Sequence, residues 1–141
     1  MKCDLRTFFA LCLLVVGLHA CTMQDHVAPR KIKLSTPEFE YTDDFKMRFK
    51  IQVDSLGDLP VTEYGILHLS FFRAQNDTDY TPRIEHGARM QFDQPVALGV
   101  NSYVYTGNAF QGKYFFFYRA YALLSDGSVS YGDIKSFTFG P

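Results

Sequence analysis

Lys113-Tyr114-Phe115-Phe116-Phe117-Tyr118-Arg119-Ala120-Tyr121-Ala122-Leu123-Leu124, then Ser125-Asp126-Gly127-Ser128, then Val129-Ser130-Tyr131-Gly132-Asp133-Ile134-Lys135-Ser136-Phe137-Thr138-Phe139, is the stretch that decides the fold. Aromatic and β-branched residues flank an Asp-Gly turn signal, the pattern of a hairpin with two long strands. An isolated hairpin this apolar is not stable in water and needs more sheet to cover it. The residues before it supply that sheet.

Working back from the hairpin, Ser102 to Thr106 is a strand candidate and Ala88 to Phe92 a weaker one. Arg73 to Arg89 carries Asn76, Asp77, Asp79, Pro82 and Gly87, which predicts a long loop. Val61 to Phe72 is a strand with two apolar faces. Its larger, wholly apolar set, Leu67, Leu69 and Phe71, is taken as the core face, which turns Tyr64, Ile66, His68 and Ser70 outward. Phe45, Met47, Phe49, Ile51 and Val53 alternate strictly with Lys46, Arg48, Lys50, Gln52 and Asp54, so that strand has one buried and one wet face. Phe39 to Tyr41 is a short strand before it. About seven short strands and no helical period after residue 20 predict an all-β, antiparallel β-sandwich, immunoglobulin-like in its strand count, following an N-terminal signal helix.

The chain has 141 residues, a formal net charge of −1, 14 Phe, 9 Tyr and no Trp. That length holds one domain with a short appendage. The near-neutral balance lacks the basic stripe of a nucleic-acid binder. The three cysteines, Cys3, Cys12 and Cys21, all fall in the first 21 residues, so the body contains no disulfide and no thiolate metal site.

Residues 1–20 have the layout of an export signal: Lys2 and Arg6, an apolar run from Phe8 to Leu18, and Ala20 before Cys21. As a helix that run reaches ~16 Å, too short for a hydrocarbon core of ~30 Å. Leu18-His19-Ala20-Cys21 resembles the lipobox of bacterial lipoproteins, with Leu18, Ala20 and Cys21 matching and His19 departing from it. The resemblance implies cleavage before Cys21 and diacylglycerol on its sulfur. It also implies a place in the bacterial cell envelope, anchored in the outer membrane and facing the periplasm or the exterior. Cleavage by an ordinary signal peptidase would instead leave Cys21 a free thiol. Residues 21–36 are expected to be a lipidated N-terminus and tether, with the domain covering 37–141. Arg30, Lys31 and Lys33 either sit against anionic headgroups, or face water while Ile32 and Leu34 begin the first strand.

Val61-Thr62-Glu63-Tyr64-Gly65, Phe116-Phe117-Tyr118-Arg119-Ala120-Tyr121-Ala122, and Tyr131-Gly132 followed by Ser136-Phe137-Thr138 are similar to a fibronectin type III-like domain of bacterial lipoproteins. The resemblance places Phe116, Tyr118, Ala120 and Ala122 inward, with Phe110 as a plug. Phe116 takes the place of a corner Tyr, whose hydroxyl bond would be missing unless Tyr114 supplies it. Lys135 stands where an inward Val is usual, so either Ile134 replaces it through a bulge or the edge strand is irregular.

No catalytic constellation is visible, and no cofactor is implied. His26, His68 and His86 lack the close spacing of metal ligands, and His68 is expected to be an exposed or rim histidine. Asp77 and Asp79 are read as solvated loop acids, too few for a calcium loop. Asp54-Ser55-Leu56 resembles a short bacterial O-glycosylation site. The candidate binding surface is Phe115, Phe117, Arg119 and Tyr121 on the outer face of the penultimate strand, with Tyr80 on the long loop. Such a row suits a protein partner or stacked sugar rings, unless Lys135 or Arg48 covers it. The function expected is a non-catalytic binding or assembly module held at the membrane; the alternative is a glycan-binding accessory protein of a sugar-uptake complex.

Overall fold

The structure, a computed structural model, describes residues 27–44, 46–72, 79–107 and 115–138. The signal segment, Cys21, Phe45, Asp77, Phe110 and Tyr114 lie outside these. The elements are β1 (Lys33–Ser35), β2 (Glu40–Tyr41), β3 (Met47–Ser55), β4 (Val61–Phe71), β5 (Ala88–Gln91), β6 (Gly99–Tyr105), β7 (Phe115–Leu124), β8 (Val129–Tyr131) and β9 (Lys135–Thr138). All pairings are antiparallel, in two sheets. In the first, β3 carries β6 on one edge and both β1 and β2 along the other. In the second, the order is β5-β4-β7, with β8 and β9 sharing the outer edge of β7. The described residues thus form an all-β, immunoglobulin-like sandwich in which the short segments pair up to make seven strand positions.

Each strand follows from its pattern. Met47, Phe49, Ile51 and Val53 are buried, and the intervening polar residues are not. Phe116, Tyr118, Ala120 and Ala122 face them from β7. Aromatic rings hold the centre: Tyr118 meets Phe49 edge-on at 5.3 Å, and Phe137 lies 4.7 Å from Phe116. The β7–β8 turn is a three-residue loop. Gly127 N–H donates to Leu124 O and Leu124 N–H to Ser128 O, both at 2.9 Å. Gly127 sits at φ +80°, which only glycine adopts without strain.

Two expectations are corrected. The core face of β4 is the opposite one: Tyr64 and Ile66 join the inter-sheet core, and His68 is buried against Phe116 at 4.9 Å. A bulge between Val61 and Glu63 shifts the register against β7, so Val61 and Tyr64 both turn inward. Leu67 is equally buried, but on the other side of the sheet. Both faces are covered, so the alternation rule had no wet face to detect.

The domain also begins before Pro37. Ile32 belongs to the core, and β1 pairs with the end of β3. The chain then leaves the first sheet and touches the second. Thr36 Oγ1 accepts the Ala120 N–H at 2.9 Å, and Tyr118 Oη accepts the Phe39 N–H at 3.2 Å. The Tyr118 hydroxyl thus supplies a side-chain-to-backbone tie. Gly132, in the gap between β8 and β9, donates to Ala120 O at 3.0 Å. A side chain there would collide with Thr36 Oγ1 and the Ser35–Thr36 backbone. The edge is therefore irregular at 132–134. Ile134 is exposed, and Lys135 reaches Glu38 at 3.1 Å.

Candidate functional site

Phe115, Phe117, Arg119 and Tyr121 do alternate onto the face of β7 away from the inter-sheet core, since their neighbours Phe116, Tyr118, Ala120 and Ala122 fill it. Opposite them on β4 stand Phe71, Leu69, Leu67 and Gly65. The row is partly covered. Residues 79–87 fold over it as a strap. Tyr80 stacks on Phe117 at 4.6 Å with planes 15° apart and meets Phe71 edge-on at 5.1 Å. Pro82 is completely buried. Tyr121 is 0% exposed, and its hydroxyl donates to Glu63 Oε1 at 2.5 Å. Burial, reinforced by that carboxylate, holds the Tyr121 phenol well above its ordinary range.

The strap is braced within itself and tied to the sheet. Asp79 Oδ1 accepts the Thr81 N–H at 2.9 Å, and Asp79 pairs with Arg83 at 3.3 Å. Arg83 O accepts the N–H groups of His86 and Gly87, at 3.2 and 2.7 Å, closing a tight turn over Leu67. Ile84 N–H donates to Tyr131 Oη at 3.3 Å. Arg89 bridges the strap and the sheet, donating to Ile84 O at 3.1 Å and to Glu63 Oε1 at 3.4 Å. Arg119 lies with its guanidinium 3.6 Å from the centre of the Tyr131 ring. Burial pulls its pKa down, and Tyr131 chiefly offsets this.

The candidate row is therefore partly covered, by groups other than the two expected. Phe115, Phe117, Arg119 and Tyr80 are half-buried and Tyr121 wholly so. The covering groups are Tyr80, Pro82 and Tyr131, and neither Lys135 nor Arg48 takes part; these pair with Glu38 and Glu40. The residues of that cover missed from sequence are Pro82, Ile84, Tyr131, Glu63 and Arg89. The available signal was the apolar character of both faces of β4, which demands a second cover.

His68 is corrected from a rim residue to a core one, and burial lowers its pKa to about 4. His86 lies on the strap, its Nε2 3.1 Å from Thr81 O. Among the described residues no three His, Cys, Asp or Glu side chains gather as a metal site. A shallow cleft of about 260 Å³ runs past Glu63, Tyr64, Phe92, Asp93 and Gln94; of its two carboxylates, Glu63 is already engaged by Tyr121 and Arg89. A second cleft lies where the N-terminal segment enters, lined by Arg30, Asp54, Ser55, Leu56, Gly57 and Leu98. No helix among the described residues is long and apolar enough to cross a membrane. The chain matches no protein-family model, and a search of curated proteins returns no match either.

Proposed function

We propose that this chain is a lipid-anchored protein of the bacterial cell envelope, a non-catalytic binding or assembly module with a fibronectin type III-like body. The observation that carries the proposal is Leu18-His19-Ala20-Cys21 behind a short apolar run, in a chain that holds no cysteine after Cys21. The body fits that role. Seven strand positions split three and four between its sheets support the fibronectin type III-like reading. The buried polar contacts tie structural elements together: Thr36 to Ala120, Phe39 to Tyr118 and Tyr121 to Glu63. Attachment through Cys21 confines the module to two dimensions, so weak contacts to a neighbouring envelope protein suffice.

The glycan-binding alternative has no observation in its favour, because Tyr121 is sealed and Phe117 already carries a ring on its face. The test is metabolic labelling with an alkyne fatty acid in a Gram-negative host, comparing wild type with Cys21→Ala. Wild type takes up label and is shortened to begin at Cys21, and the variant does neither. Equal labelling of the two chains overturns the anchor, and protease shaving of intact cells then assigns the side of the membrane.

A further inference from the structure

We infer that the pole of the sandwich at which the N-terminal segment enters lies against the lipid bilayer, with Leu56, Leu98 and Val100 at the headgroup–acyl boundary. The inference rests on the anchor at Cys21 proposed above. Seven large apolar side chains stay exposed among the described residues, and three of them, Leu56, Leu98 and Val100, gather at this end. Leu98 and Val100 are each 63% exposed, and Leu56 and Leu98 line the same cleft beside Arg30. A fourth, Val27, is 83% exposed and only three residues from Arg30, hence within roughly 11 Å of it along the chain. Single apolar residues on a surface are ordinary; a group at one pole marks a contact.

The occupant follows from where the chain enters. Arg30 is fixed to the β3–β4 loop: its N–H donates to Asp58 Oδ2 at 2.9 Å, its guanidinium meets Asp58 Oδ1 at 2.8 Å, and its carbonyl accepts the Asp58 N–H at 2.8 Å. Between Cys21 and Arg30 the chain spans at most roughly 32 Å and on average about 17 Å as a coil. Among the described residues, Arg30 is the first after Cys21 that hydrogen bonds tie to the body, at the β3–β4 loop. The charges here offset one another: Arg30 is closed on Asp58, and Asp126 feels Lys31. Apolar tips rimmed by paired charges fit a lipid interface, where lysine stems such as those of Lys31 and Lys33 lie along the surface with their heads in water. A polyanion finds no net charge to hold it.

The experiment uses the full chain, lipidated in the host and reconstituted in vesicles of phosphatidylethanolamine and phosphatidylglycerol. Hydroxyl-radical oxidation of Leu56 is measured relative to that of Phe72, which is exposed at the far end of β4. Wild type is compared with Leu98→Asp/Val100→Asp, whose exposed sites tolerate charge. Both proteins should carry fatty acid and float with the vesicles, and relative oxidation of Leu56 should be at least about threefold lower in wild type. Equal oxidation in two floating, labelled proteins overturns the docking. Protection of Leu56 in cells that vanishes on purified vesicles also overturns it, assigning the pole to a protein partner. Absence of fatty acid on wild type is scored separately and removes the anchor, and the docking with it.

Discussion

Protonating His68 means placing an imidazolium beside the ring of Phe116 inside the sandwich. Burial opposes this and lowers the pKa from 6.5 to about 4. Between those values the unfolded chain binds a proton that the folded chain refuses. Stability is therefore complete above pH 6.5, declines as the pH falls and stops declining, on this account, below about 4. The full swing is on the order of 3 kcal/mol. Asp44 and Asp58, both held down to about 2 by hydrogen bonds from Lys46 and Arg30, lose their contribution only at lower pH and, being fully exposed, weigh little. Replacing His68 with Leu should flatten the urea midpoint between pH 6.5 and 4, where wild type slopes downward. An unchanged slope in the variant would assign the acid sensitivity elsewhere.

The 79–87 strap is the element that changes the reading of this chain. It covers Leu67, Phe71 and Phe117, so the second sheet has protein against its outer face as well. Truncating Tyr80 to Ala removes the ring on Phe117 and the edge contact to Phe71, and should cost about 1–3 kcal/mol. Far-UV circular dichroism should stay unchanged while a hydrophobic dye gains a site; a variant with wild-type stability and no dye binding would show that the strap does not seal this face. The sequence made β3 and the final hairpin legible because Met47 to Val53 alternate against water, and because Asp126-Gly127 marks its own turn. β4 was misread for a physical reason. Leu67, Leu69 and Phe71 are bulkier than Tyr64, Ile66 and His68 taken as a face, but side-chain size does not say which of two covers is the other sheet. The strap itself carries Asp79, Arg83, Glu85 and His86, and that polarity hides one buried proline and one stacked tyrosine.

For the molecule as a whole, the decisive connection is the first described segment, which crosses from one sheet to the other. Ile32 fills the core, Leu34 pairs opposite Val53, and Thr36 completes the hydrogen bonding of Ala120 on the facing sheet. A chain starting at Pro37, the boundary expected from composition, lacks all three. It should be less stable than one starting at Val27 by at least about 3 kcal/mol, from the lost core side chain and an unsatisfied buried N–H. Thermal melts of the two chains check this, and equal melting temperatures would return that segment to the role of a linker. The same crossing has a mechanical consequence. β1 enters beside Ser55 at one pole, while β9 finishes beside Phe115 at the other. Tension drawn between a fixed base and a load at the far end runs parallel to the strands, across bonds that lie perpendicular to it. Those bonds must yield together in shear rather than one at a time, so the body resists stretching as a rigid strut would.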